Sequence, residues 1–106
     1  MGEARFIVVV TTVGTRAEAR AMARTLVEQQ LAACVQIAEI ESFYGWDGEI
    51  RDDAEFRLWI KTAGGRYGEV EAAIRGLHPY ELPAIYALPV AAIFAPYAEW
   101  VESASA

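Results

Sequence analysis

The sequence is short of the residue types on which many functions depend. Its 106 residues include one cysteine, one histidine and nine basic residues against fifteen acidic ones. A single cysteine, Cys34, permits no intrachain disulfide, which fits a reducing compartment, and the cytoplasm is the expected location. One thiol and one imidazole, Cys34 and His78, do not close a tetrahedral zinc site within one chain. A net charge of −6 and a pI near 4.7 leave no basic patch to neutralise phosphates, so nucleic acid is not an expected partner. Apolar runs such as Phe6 to Val10 fall far short of the roughly 20 residues of a membrane span. No basic stretch followed by an apolar segment and a small-residue cleavage site opens the chain, so no secretory signal is expected. The glycines lack a Walker-type ending, and no nucleophile–base set is legible, which makes an enzyme the least supported class.

Enough apolar sequence is present for a core. Apolar residues make up 55% and charged residues 23%, which argues against disorder. The length suits one domain over residues 1–106, able to bury roughly two-thirds of its unfolded surface. Phe6 to Val10 reads as a strand buried on both faces, with a loop from Thr11 to Gly14. Thr15 and Glu18 have capping-box spacing, and Ala19, Met22, Ala23, Leu26 and Val27 form a helical stripe, predicting a helix over 16–30. Strand formers from Ala33 to Thr62, interrupted by Asp47-Gly48, predict a β-hairpin that turns at Trp46 to Glu49. Tyr67, Val70, Ile74 and Leu77 mark a second helix that Pro79 ends. A short strand at Ile85 to Leu88 and a terminal helix from about Pro96 complete the chain, with Ser103 to Ala106 expected to fray. The order β-α-β-β-α-β is that of an α+β, ferredoxin-like sandwich with a long hairpin and an extra C-terminal helix.

The hairpin carries a further expectation. Arms of about 13 residues at roughly 3.3 Å each span about 43 Å. A compact domain of this length has a radius of gyration near 13 Å, or a diameter of roughly 33 Å as a sphere. The ribbon therefore overhangs its domain and leaves Phe43, Tyr44, Trp46 and Trp59 on exposed edges, a liability that association with other copies removes.

Several side chains admit both a functional and a bland reading. Cys34 is a soft ligand for Cu(I) or a small buried apolar residue. His78 is a metal ligand or proton shuttle, or a residue that closes the second helix. Cys34, His78 and Glu81 supply at most a partial metal set in one chain, which symmetry between subunits would complete. Asp52, Asp53 and Glu55 can attract hard cations, but a charged hairpin face is usually only solvated. Lys61, just before Gly64-Gly65, can receive an anion or protect a sheet edge, and Arg66 adds positive charge at the next helix. Tyr80 and Glu81 read equally as a packing tyrosine with a wet hydroxyl and its exposed neighbour.

Four segments in order resemble the CutA family of divalent-cation tolerance proteins: Leu31-Ala-Ala-Cys-Val35, Tyr44-Gly-Trp-Asp-Gly48, Lys61-Thr62, and His78-Pro-Tyr-Glu-Leu-Pro83 followed by Ala87-Leu-Pro89. The resemblance spans nearly the whole chain. It implies a ferredoxin-like homotrimer held by long hairpins, and a non-catalytic role with copper or another divalent metal ion as ligand. It places Trp46, Lys61, His78, Tyr80 and Glu81 along a cleft between subunits. Similarity of architecture to PII-type signalling proteins implies a rival role, a sensor of a small anionic metabolite held by Lys61 and Tyr80. A third reading is a structural trimer whose hairpin tips, with Trp46 and Asp47, dock other proteins. The chain departs from family patterns at Thr11 or Thr12, Leu77 and Ala84, positions where some relatives carry potential ligands.

Overall fold

A computed structural model describes residues 4–106. The chain runs β1 (Phe6–Val13), α1 (Arg16–Glu28), β2 (Cys34–Trp46), β3 (Glu49–Ala63), a short 3-10 turn (Gly64–Arg66), α2 (Tyr67–Leu77), β4 (Ile85–Pro89) and α3 (Ala95–Ala104). The four strands form one antiparallel sheet in the order β2-β3-β1-β4. This is the α+β ferredoxin-like arrangement expected from the sequence. No helix among the described residues is long and apolar enough to cross a membrane.

Local chemistry sets the element ends. The Thr15 hydroxyl accepts from the Glu18 amide at 3.1 Å and donates to the Glu18 carboxylate at 2.9 Å, capping α1. The helix stops at Glu28, two residues before the stripe suggests, because Gln30 turns left-handed at φ 58°. The Gln30 amide then donates to the Val27 carbonyl and the Leu31 amide to the Leu26 carbonyl, the paired bonds of a Schellman ending. Two other boundaries differ from the sequence reading. Thr11 to Val13 continue β1 rather than looping, because they pair with Leu58 to Phe56. The C-terminus does not fray at Ser103: α3 runs to Ala104, and Ser105 is buried with its hydroxyl donating to the Val101 carbonyl.

The register divides the sheet into two faces. Ile7, Val9, Leu58 and Ile60 point at α1 and α2, where Met22, Leu26, Val70 and Ile74 close the main core. The opposite face carries Phe6, Val8 and Val10 of β1 with Trp59 and Lys61 of β3. There α3 covers one end, Ala98 and Val101 packing with Phe6 and Ala33. The remainder of that face stays open, and Trp59, Tyr86 and Leu88 are exposed on it.

The hairpin pairs without a bulge from Cys34 and Lys61 to Trp46 and Glu49. Its turn is Asp47-Gly48, with φ of 52° and 76°, the left-handed pair that a tight two-residue hairpin needs. Beyond Phe56, β3 has lost its partner β1, so the distal part is a two-stranded ribbon. The long axis of the molecule is accordingly 45 Å and the radius of gyration 14.4 Å, above the about 13 Å of a compact chain of this length.

Candidate functional site

A cleft of about 380 Å³ opens where the ribbon leaves the sheet. One wall is the hairpin face carrying Tyr44, Trp46, Arg51 and Glu55; the other is the segment after α2, with Tyr80, Glu81 and Leu82. The register explains the first wall. Tyr44 pairs with Arg51 and Trp46 with Glu49, so side chains two residues apart along each strand share that face. His78 builds the second wall. Proline at 79 forces it out of the helix, at φ −80° and ψ 132°. Its Nε2–H donates to the Thr12 carbonyl at 2.8 Å, and its Nδ1 accepts from the Tyr80 amide at 3.2 Å. The imidazole ties the segment to the end of β1 and packs tilted against the Tyr80 ring, 4.8 Å between centroids.

Tyr80 then spans the cleft floor. Its hydroxyl donates to the Glu55 carboxylate at 2.8 Å, and Tyr44 donates likewise to Asp53. Burial, then the hydrogen bond to Glu55 and its negative charge, push the Tyr80 phenol well above its ordinary value of 10.0. The sign of the linkage follows. A raised phenol favours its neutral form in the folded state, so its stabilisation is complete below about pH 10 and declines as the pH rises beyond it. Tyr80→Phe is expected to lower stability at neutral pH by about 1 kcal/mol, a hydrogen-bond value discounted for partial exposure. Urea unfolding above about pH 10 should show the variant losing less stability than the parent. Parallel pH curves would mean that the phenol and carboxylate are not coupled.

The residues singled out from sequence divide between two places. Trp46, Tyr80 and Glu81 line this cleft within one protomer. Lys61 does not. It lies on the open face beside α3, its ammonium 5.6 Å from the centre of the Tyr97 ring, in a separate apolar hollow of about 270 Å³. Cys34, a half-buried free thiol, pairs with Lys61 on that same face. The rung of Cys34 and Lys61 continues to Val8, whereas His78 bonds Thr12. Four residues of strand, about 13 Å, separate those levels. Among the described residues no three His, Cys, Asp or Glu side chains gather to hold a metal ion, and both His78 nitrogens are engaged. One protomer alone therefore does not assemble Cys34, His78 and Glu81 into a site.

Sequence reasoning missed Arg51 and misjudged Glu55. Glu55 is not a solvated hairpin charge: it is 9% exposed, held at the cleft floor under Tyr80. The Asp47-Gly48 turn was the available signal, since it fixes the register that sets Tyr44, Arg51 and Glu55 on the face of Trp46.

The model of the CutA1 divalent ion tolerance protein family matches residues 7–104. The chain belongs to the CutA1 family. It is 40% identical over 95 residues to the divalent-cation tolerance protein CutA of Thermus thermophilus, covering 89% of this chain and 92% of that one. Among solved structures it is similar to the periplasmic divalent cation tolerance protein CutA of Archaeoglobus fulgidus, with a TM-score of 0.93 at 31% identity, over 95% of this chain and 99% of that one. CutA1 of Shewanella sp. gives 0.94 at 35% identity, over 98% of both chains. These CutA proteins are named for tolerance to divalent ions rather than for a catalysed reaction.

Proposed function

We propose that this CutA1 protein is a non-catalytic divalent-cation tolerance protein of the cytoplasm. It works as a homotrimer and binds copper, or another divalent ion, at a weak exchangeable site between subunits. Membership of the CutA1 family over residues 7–104 carries the reading. Three features of the chain support assembly: the two-stranded ribbon, the uncovered apolar sheet face, and the separation of the soft donor Cys34 from His78 and Glu81. Cys34 lies on the uncovered face, so donors from different protomers complete what one chain leaves partial. Native mass spectrometry of metal-stripped protein, titrated with Cu(I), Cu(II) and Zn(II), tests this. The expected result is a trimer taking up a fixed, saturable number of copper ions. Cys34→Ala combined with His78→Ala should weaken uptake by about tenfold, the equivalent of about 1.4 kcal/mol. A trimer that stays bare, or a double variant of unchanged affinity, overturns the metal assignment.

A second reading, a PII-like module for a small anionic metabolite, is favoured by one observation. The Lys61 ammonium has no carboxylate partner among the described residues. Thermal shifts with nucleotides and carboxylates in a chelator would reveal it, since a ligand at a hundred times its Kd stabilises by about 2.7 kcal/mol.

A further inference from the structure

The cleft at the base of the hairpin shares Glu81 with the metal reading and Tyr80 with the metabolite reading, but neither accounts for Glu55 and Arg51. Glu55 is almost buried, yet its one hydrogen-bond partner there is the neutral Tyr80 phenol. The ion pairs among the described residues are Arg5–Glu102, Arg16–Glu39, Arg24–Glu28 and Arg66–Glu69, so Glu55, Glu81 and Arg51 all line the cleft without a salt bridge to one another or to another described residue. A carboxylate withdrawn from water needs a cation or a full set of donors. Three aromatic rings, Tyr44, Trp46 and Tyr80, make up much of the wall, which Thr12, Leu82 and Ala84 complete. Two of the three rings are held by their hydroxyls, Tyr80 on Glu55 and Tyr44 on Asp53, so those rings are fixed before any ligand arrives.

We propose that this cleft binds a small zwitterion, one end an alkylated ammonium group and the other a carboxylate. Aromatic faces beside a carboxylate attract an organic cation through their negative π faces, and a weakly hydrated alkylated ammonium gains most from such contact. Glu55 and Glu81 supply the countercharge. Arg51 lies on the rung of Tyr44 and offers the opposite end a planar pair of donors suited to a carboxylate. The volume, about 380 Å³, lies in the range of small-molecule sites and far exceeds a bare metal ion. The inference does not involve Lys61 or Cys34; it shares Glu81 with the proposed metal set, so copper and the zwitterion would compete for that carboxylate.

Isothermal titration of the assembled protein, in a chelator, tests it with three probes: glycine betaine, choline, which lacks the carboxylate, and tert-butylacetate, which lacks the positive charge. Glycine betaine should saturate at one site per chain. The other two should bind about tenfold more weakly, the factor of one desolvated cation–π or charged contact. Glu55→Gln, which keeps an acceptor for Tyr80, should weaken glycine betaine and choline alike. Arg51→Gln, on the exposed ribbon, should reduce glycine betaine to the affinity of choline. No saturable glycine betaine binding overturns the proposal, as does tert-butylacetate binding equally well or an unchanged Arg51→Gln affinity. Absent betaine binding beside saturable copper uptake would sink this inference and leave the metal reading intact.

Discussion

His78→Ala is expected to destabilise the protein by about 2 kcal/mol and to weaken copper uptake to what Cys34 and the remaining donors support. The imidazole serves two backbone groups at once, the Thr12 carbonyl and the Tyr80 amide. A hydrogen bond in such a part-buried to exposed setting contributes about 0.5–1.5 kcal/mol, and the ring packing on Tyr80 is lost as well. The damage should spread along the segment, because Tyr80 then loses its anchor and releases Glu55. Urea unfolding measures the first effect. Native mass spectrometry with Cu(I) measures the second. The opposite pattern, unchanged stability with copper uptake lost, would show an imidazole that exchanges its backbone partners for a metal. The experiment thus separates a structural histidine from a ligand, a distinction that the lone residue in the sequence left open.

The second large effect concerns assembly. If the chain assembles as proposed, Leu88→Asp should dissociate the trimer, raising its dissociation constant by more than about a hundredfold. Leu88 is 42% exposed and pairs with Val8 on the uncovered sheet face, close to Trp59 and Tyr86. A carboxylate placed where a neighbouring chain must exclude water would cost about 3 kcal/mol or more without a partner. Arg75→Glu, at the exposed end of α2, is the control and should leave the mass unchanged. A dilution series by analytical ultracentrifugation reads both. A Leu88→Asp trimer that survives dilution would place the subunit interface elsewhere.

Periodicity makes the architecture legible in the sequence. The stripe from Ala19 to Val27, the alternation Phe56–Leu58–Ile60 and the Asp47-Gly48 turn each have one economical solution, and each is present in the fold. Ends were less legible. Gln30 adopts a left-handed conformation that glycine usually fills, and no residue type in the sequence announces it. Thr11 to Val13 look like a loop in isolation, because threonine next to Gly14 resembles turn chemistry. Pairing with β3 decides otherwise.

For the site, the sequence by itself determined the inventory: one thiol, one imidazole, one lysine, an acidic balance and the segment from His78 to Pro83. It also determined the long hairpin, since turn and alternation are local properties of the chain. Only the tertiary structure decided which groups meet. It carried Lys61 to the open face beside Tyr97, engaged both nitrogens of His78, and buried Glu55 under Tyr80. The reason is physical. Composition fixes which donors and charges exist, but strand register and the path of the segment after Pro79 fix their neighbours. A hydrogen bond or an ion pair depends on those neighbours to within a fraction of an ångström.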